Sequence, residues 1–336
     1  MSQKAISAKP AGLKKKGPTF NQWLNRQKHK VKQAPFWKNV LLNIFLLILF
    51  TGLVYVLIYP VIYIVSTSLK SQADMLDSTT VWVPKHPSLS NYPAAFEAID
   101  YLAGLKNTLI IAVTTTVLQT ITCSFIGYGF ARFKFKEKNL IFALVILTLI
   151  IPVQTIVLPQ YLQYRTFDIF GIFTAITGGP INLVNTFVPL ILPSFFGVGL
   201  KSGLFIYLFR QFYRGMPKEL EEAGYIDGCG PFRTYMRIMW PNATAPMVSV
   251  ILLSFVWHWN DVFEPDMYLE SANRTLAVRL VNITSAITGS SEVTNLTYVI
   301  PTKYAGCGLF ILPLIIVYLV GQRYFVEGME RAGIVG

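Results

Sequence analysis

Acidic residues are scarce in this sequence, and none precedes Asp74. The 336-residue chain has 17 Asp and Glu against 29 Lys and Arg, and only 14% of its residues are charged. Soluble domains usually have about a quarter of charged residues. Because 53% of the residues are hydrophobic, the chain is not expected to fold as a water-soluble globule.

Cysteine and histidine are also rare, and their spacing excludes several classes of site. The six positions are Cys123, Cys229, Cys307, His29, His86 and His258. These widely separated residues match neither a disulfide framework nor a metal-ligand pattern. The sequence also has no Gly-x-Ser-x-Gly elbow and no Gly-x4-Gly-Lys-Ser/Thr phosphate loop, so we expect no catalytic residue and no cofactor in this chain.

Basic residues, by contrast, crowd the N-terminus, where ten Lys and Arg precede the first long apolar run. A basic block beside an apolar run is a topology signal for a membrane protein, so nucleic acid is not expected as a partner. Residues 1–39 are interpreted as a basic cytoplasmic tail and residues 40–336 as the membrane domain. The tail either is mostly disordered or lies partly as an amphipathic helix on membrane lipid.

Apolar runs long enough to cross a bilayer predict an all-α integral membrane protein with six transmembrane helices. The predicted spans are about Val40–Ile64, Asn107–Phe130, Leu140–Leu158, Phe187–Phe209, Ala245–Trp259 and Tyr304–Val320. The shorter apolar stretch Ile169–Ile181 is interpreted as an interfacial or re-entrant piece. Basic and non-basic loops alternate between the spans, which places both termini and the loops after spans two and four in the cytoplasm.

The loop after the fourth predicted span, residues 213–241, has an organisation of its own. Pro217 and the acids that follow it favour the start of a helix, and Gly228-Cys229-Gly230-Pro231 breaks that helix. A second short helix is predicted from Pro231 to Met239, closed by Pro241. Two short amphipathic helices outside the membrane need a partner surface or the membrane interface, whereas a plain solvated connector of this length would be uncommon.

This loop resembles the EAA signature of ATP-binding-cassette (ABC) importer permeases. The signature reads Glu-Ala-Ala, three residues, Gly, nine residues, Ile, one residue, Leu-Pro. The matching positions here are Glu222, Ala223, Gly224, Gly228, Ile238, Trp240 and Pro241. The spacing fits throughout, and the departures are Gly224 in place of Ala and Trp240 in place of Leu.

The resemblance implies the type I ABC importer permease fold and a mechanism. The first short helix would be a coupling helix that docks into a cleft on a cytoplasmic ATPase subunit. Glu222 would make the polar contact and Gly228 would permit the tight turn. The residues expected to couple to the ATPase are Glu222, Ala223, Gly224, Asp227, Gly228, Ile238 and Pro241. ATP and Mg²⁺ would be bound by that partner subunit.

Other segments resemble the carbohydrate-uptake branch of these permeases, in particular the MalG-like second permease. They include Thr67–Lys70, Tyr128–Phe133, Phe209–Phe212, Trp257–Asp261 and Gln322–Gly328. The resemblance implies a multi-pass subunit of a bacterial cytoplasmic membrane that imports a carbohydrate, with an oligosaccharide favoured. Its implied partners are a second homologous permease, two ATPase subunits and an extracytoplasmic sugar-binding protein. After Asn260-Asp261 the family usually continues with apolar residues, often with Trp-Pro, whereas this chain has Glu264-Pro265-Asp266 there.

Trp257, His258, Trp259 and Asn260 are candidate substrate-pathway residues, because sugars bind by aromatic stacking and planar hydrogen-bonding groups. An aromatic belt with helix packing is the alternative for this set. Gln119, Gln154 and Thr155 are polar groups inside apolar spans that serve either as links between helices or as pathway lining. Two other functions remain open: an ABC permease for a non-sugar solute, and a membrane-embedded glycan-modifying enzyme using Asp261, Glu264 and Asp266.

Overall fold

The described part of the chain is built from helices, as the sequence predicts. A computed structural model describes residues 34–290 and 295–333, with side chains over 37–289 and 295–322. Apart from one antiparallel bridge between Phe167 and Ile181, these ranges contain no strand.

The helices are numbered in chain order. They are α1 (Ala34–Ser68), α2 (Gln72–Leu76), α3 (Asn91–Ala98), α4 (Tyr101–Arg132), α5 (Lys138–Leu147), α6 (Val153–Arg165), α7 (Ile172–Thr177), α8 (Val188–Phe195), α9 (Ser202–Gly215), α10 (Glu219–Ile226), α11 (Pro231–Thr234), α12 (Trp240–Asn242), α13 (Thr244–Asn260), α14 (Phe263–Tyr268), α15 (Leu276–Val281), α16 (Ile283–Ser290) and α17 (Leu296–Gly333). A π-helical turn, Tyr235–Met239, joins α11 to α12, and a short 3₁₀ turn, Ser271–Asn273, precedes α15.

The chain divides into two units, residues 1–62 and 63–336. In the first unit the described residues belong to α1, which begins at Ala34, six residues before the predicted span. Nearly every described side chain of this unit is exposed, and almost all of them are apolar. A helix that is apolar all round needs a non-aqueous surrounding, which is what a membrane-spanning helix has. Residues 1–33, the greater part of the predicted basic tail, lie outside the described residues.

Three helices in the described ranges are long and apolar enough to cross a membrane. These are the stretches Trp37–Ser68 of α1, Tyr101–Arg132 (α4) and Leu296–Gln322 of α17. A fourth candidate is the pair Pro231–Asn242 and Thr244–Asn260, which is bent by 77° at Ala243. The helical class is therefore confirmed, whereas the count of six spans stays a prediction.

The third and fourth predicted spans are each broken into two helices. Pro152 precedes α6 and interrupts the third span, because proline lacks the N–H needed to continue the α5 ladder. The fourth span breaks between α8 and α9, where Gly197 and Lys201 have φ of 72° and 59°. These left-handed residues end one helix and start the next, which apolar composition alone does not reveal.

Helix α4 is the central element of the second unit. It packs against α9 and α13 most extensively, and also against α8 and α15. Gly127 makes the closest approach: a Cβ there would lie 2.7 Å from Phe209 Cβ and 3.0 Å from the Arg210 nitrogen of α9. Glycine at this point lets the two backbones meet, as small residues do in membrane helix pairs.

Candidate coupling site

Helix α10 carries the first half of the signature and is closed by a glycine. Glu219, Glu221 and Glu222 occupy its first turn, where acidic side chains are stabilised by the helix dipole. At its end Gly228 has φ of 76°, and the Cys229 N–H donates to the Gly224 carbonyl at 2.9 Å. This is the C-terminal glycine stop predicted from the sequence, in a conformation that residues with a Cβ rarely adopt.

The two faces of α10 differ in exposure. The predicted coupling residues Glu222, Ala223, Asp227 and Gly228 are exposed, as is the apolar side chain of Ile226 at 86%. On the opposite face Glu221 and Gly224 are buried. One face of the helix therefore packs against the rest of the chain. The other face, with an exposed carboxylate and an exposed isoleucine, is accessible to a partner.

Gly224 and Ile238 are fourteen residues apart in the sequence but are neighbours in space. A Cβ on Gly224 would lie 2.8 Å from Ile238 Cδ1 and 3.3 Å from Thr234 Oγ1. The signature spacing thus folds the second helix back against the first. The atom that an alanine would meet is the end of a flexible side chain, so the family's alanine and this chain's glycine are compatible with the same packing.

Pro241 does not end the second short helix. The helix runs from Pro231 through the π-helical turn to Asn242, and the bend of 77° follows at the buried Ala243. Asn242 Nδ2 donates to the Ile238 carbonyl at 2.7 Å. A proline and a π-helical turn are both common causes of helix bends, which accounts for the direction change into α13. The predicted end at Met239 was therefore wrong by three residues.

The buried face of α10 is tied to the end of α4 by an ion pair. Arg132 Nε lies 3.4 Å from Glu221 Oε2, and both side chains are about nine-tenths buried. Arg132 Nη2 also donates to the Met216 carbonyl, at the end of α9, at 2.6 Å. Sequence reasoning missed this pair, because the two residues are far apart in the chain and neither belongs to the three-residue core of the signature.

The candidate pathway residues of α13 do not converge on one surface. Trp257 is half-buried and its ring stacks on Phe205, with centroids 5.5 Å apart. Trp259 is fully buried against Phe255 and Phe310. Only Asn260 is exposed, and its Nδ2 donates to the Val256 carbonyl of the same helix.

His258 belongs to a buried polar cluster centred on Gln119. Gln119 Oε1 accepts from Ser254 Oγ at 2.6 Å and lies 3.2 Å from His258 Nε2. Gln119 Nε2 donates to the Leu200 carbonyl and to Ser202 Oγ at the start of α9. One amide therefore joins α4, α9 and α13, as the helix-linking interpretation of Gln119 predicted, and His258 is one of its partners.

The acidic segment after α13, in which this chain differs from the family, forms the short helix α14. Asp261 Oδ1 accepts from the Phe263 N–H, and Asp266 lies 3.5 Å from Arg274 Nη2. Burial raises the pKa of Asp261 to about 6, and burial together with the Asp261 charge raises the pKa of Glu264 to about 7. A crevice of about 500 Å³ next to them is lined by Tyr161, Val262, Phe263, Asp266 and Met267.

No group of three or more His, Cys, Asp or Glu side chains with metal-binding geometry occurs in the described ranges. The acids of α14 are thus not gathered as a multidentate site.

Known permeases of ABC transporters match most of this chain. The arabinooligosaccharides transport system permease protein AraQ of Bacillus subtilis (strain 168) is 28% identical over 283 residues, 83% of this chain and 91% of the relative. The trehalose transport system permease protein SugB of Mycobacterium tuberculosis (strain CDC 1551 / Oshkosh) is 27% identical over 283 residues, 82% of this chain and 92% of the relative. The osmoprotective compounds uptake permease protein GgtD of Synechocystis is 25% identical over 311 residues, covering 91% and 95%.

The fold has a solved counterpart. A chain from the crystal structure of a bacterial ABC transporter involved in the import of the acidic polysaccharide alginate superposes with a TM-score of 0.67 at 19% identity. The match covers 86% of this chain and 98% of that one. At this identity the likeness shows that the two chains share a fold.

A family model agrees with these relatives. The model described as "Binding-protein-dependent transport system inner membrane component" matches residues 123–331, more than half of the chain and the whole signature loop. This protein therefore belongs to the family of binding-protein-dependent transport system inner membrane components, which confirms the ABC importer permease family predicted from its EAA-like signature.

Proposed function

We propose that this chain is a permease subunit that imports a carbohydrate across the bacterial cytoplasmic membrane, driven by ATP hydrolysis on a separate subunit. The two-faced helix α10 carries the proposal. Its inner face is held by Arg132 and packed on Ile238, while Glu222, Ala223, Asp227 and Gly228 stay exposed. An anchored helix with an exposed acidic and apolar face is suited to dock on an ATPase subunit and follow its movement.

The relatives favour a sugar as cargo. AraQ and SugB are named for arabinooligosaccharides and trehalose, so an oligosaccharide is the leading substrate class for this chain. A non-sugar solute is the second candidate, and GgtD, named for osmoprotective compounds, is the observation that favours it. The permease relatives give the enzyme alternative no support.

The proposal includes the assembly and topology that the sequence predicts. The chain would have six spans, with α5–α6 and α8–α9 as broken third and fourth spans and both termini in the cytoplasm. Its partners would be a second homologous permease, two ATPase subunits and an extracytoplasmic sugar-binding protein. The exposed apolar surfaces of α1 and α17 would face membrane lipid or the second permease.

The proposal is tested by purifying the tagged chain in mild detergent and identifying what comes with it. A homologous permease and a nucleotide-binding ATPase are expected by mass spectrometry. The complex is then reconstituted in liposomes with the cognate binding protein, and uptake of trehalose, arabinotriose and glycine betaine is compared. Recovery of the chain alone would contradict the importer assignment, and uptake of glycine betaine without either sugar would replace the carbohydrate by a non-sugar solute.

A further inference from the structure

The cytoplasmic end of α4, as the proposed topology places it, holds the inner face of α10. The Arg132 and Glu221 side chains are only 8% and 10% exposed, and the Nε–Oε2 distance is 3.4 Å. Arg132 Nη2 donates to the carbonyl of Met216, which follows the end of α9 and lies three residues before α10 begins at Glu219. One guanidinium thus connects three helices: α4, α9 and α10.

A buried pair of this kind is sensitive to the loss of either partner. Removing one member leaves an uncompensated charge in a site from which water is excluded, and this costs far more than removing both. Because Glu221 is the carboxylate of α10 that faces the protein, while Glu219 and Glu222 face outwards, the pair fixes where α10 sits relative to α4.

From Arg132 towards its N-terminus, α4 is joined to its neighbouring helices by a series of buried contacts. Ser124 Oγ lies 2.7 Å from the Tyr213 hydroxyl of α9 and accepts from the Tyr235 hydroxyl of the π-helical turn at 3.1 Å. Gly127 brings the α4 and α9 backbones together, and Gln119 joins α4, α9 and α13 further along the same helix. A displacement of the α4 end therefore moves a continuous packed unit, because close-packed side chains do not deform gradually.

The covalent route from α10 to α13 is indirect. It passes through the Gly228 turn, the π-helical turn and the 77° bend at Ala243 before it reaches α13. Each of these three features is a place where the chain can change direction. The direct contact between Glu221 and Arg132 avoids all of them.

We propose that the Arg132–Glu221 ion pair is the positioning link through which movement of the coupling helix α10 reaches the membrane helix α4. This inference rests on the proposed coupling function of α10. Glu221 lies on the side of α10 opposite the proposed docking face. It therefore transmits movement of α10 to α4, whereas Glu222 contacts the ATPase.

The test uses the complete complex in liposomes and the variants Glu221→Gln, Arg132→Gln and the double variant. Exposed neighbours supply the matched controls Glu219→Gln and Lys134→Gln. Three quantities are measured: ATPase subunit recovered with the permease, ATP hydrolysis, and sugar imported per ATP, with the sugar that the wild type imports. A coupling free energy of the usual size predicts a fall in sugar imported per ATP of at least about fivefold in all three variants, and none in the controls.

The double variant separates transmission from folding. Because it buries no unpaired charge, we expect its melting temperature to exceed that of both single variants while its coupling stays low. Wild-type coupling in the double variant, or in both single variants, would overturn the proposal. Loss of the ATPase subunit from Glu221→Gln but not from Glu219→Gln would also overturn it, since Glu221 would then be a docking residue.

A distance measurement makes the test independent of the cargo. Spin labels at Glu219→Cys and Lys134→Cys, in a chain without its native cysteines, report on α10 relative to the end of α4. The distance is expected to stay constant when ATP and vanadate trap the wild-type complex, and to change or broaden with Glu221→Gln. An unchanged distance with Glu221→Gln would contradict the link. Absence of any ATPase from the wild-type complex would instead contradict the proposed function.

Discussion

Helix α10 and the outer end of α13 both carry polar and apolar side chains of functional interest, but they present them in opposite ways. On α10 the signature residue Glu222 and the neighbouring Ile226 are exposed. On α13 Trp259 and His258 are buried and contact Phe310 and Gln119. The exposed groups of α10 are available for the partner that we propose, whereas the groups of α13 that pack between helices cannot be released without loss of stability.

This difference teaches that residue type alone is a weak guide to a site. Trp, His and Asn suit carbohydrate binding, yet the same residues also suit the interior of a helical membrane bundle.

The largest effect is expected from Gly228→Asp. Gly228 has φ of 76°, where a side chain strains the backbone although the space around it is open. We expect the variant to insert in the membrane but to lose transport-coupled ATP hydrolysis, measured in liposomes. Gly230→Asp is the matched control, because Gly230 has equally open space but an ordinary φ of −72°. Equal activity of the two variants would contradict the role of the turn.

Glu222→Lys is expected to abolish the same coupled hydrolysis by a different route. The exposed carboxylate is replaced by a cation at the surface that we propose docks on the ATPase, while the buried Arg132–Glu221 pair is untouched. Reduced recovery of the ATPase subunit with an unchanged melting temperature is the expected result. Glu219→Lys controls for the change of charge on the same helix, and normal transport by Glu222→Lys would refute the assignment of this face.

Trp259→Ala tests the opposite character of α13. Trp259 is 0% exposed, so its truncation leaves a cavity that costs roughly 3–5 kcal/mol of stability. The melting temperature in detergent should fall sharply. The neighbouring Asn260→Ala removes an exposed side chain and should change stability by no more than about 0.5 kcal/mol. A higher KM for sugar in Asn260→Ala would place Asn260 in the pathway, and an unchanged melting temperature in Trp259→Ala would refute its packing role.

The smallest effect concerns pH and the acids after α13. The pKa values of Asp261 and Glu264 are raised to about 6 and about 7, so the folded state holds these protons more tightly than the unfolded chain does. Their contribution to stability is present below the unfolded pKa values near 4 and is lost as pH rises towards about 7. The melting temperature should therefore fall across this window, and less so in Asp261→Asn/Glu264→Gln. An identical slope in the double variant would contradict these pKa shifts.

The helical class and the signature loop were predictable because both depend on local patterns. Apolar runs such as Val40–Ile64 indicate helices that lie in a lipid bilayer, and Glu222, Gly228 and Ile238 stand at fixed spacings along one loop. The breaks at Pro152 and Gly197 were not predicted, because a run of apolar residues reads the same whether the helix is continuous or interrupted. The Arg132–Glu221 pair was missed because the two residues meet only after α4 and α10 have packed.

The sequence by itself determined that this chain is a helical membrane protein of the ABC importer permease family, since hydropathy and motif spacing are properties of neighbouring residues. Only the tertiary structure decided which side of α10 is free, that Gly224 lies on Ile238, that His258 bonds to Gln119, and that Arg132 holds Glu221. Burial and contact depend on residues distant in the chain, and they alone distinguish a side chain that is available to a partner from one already engaged in packing.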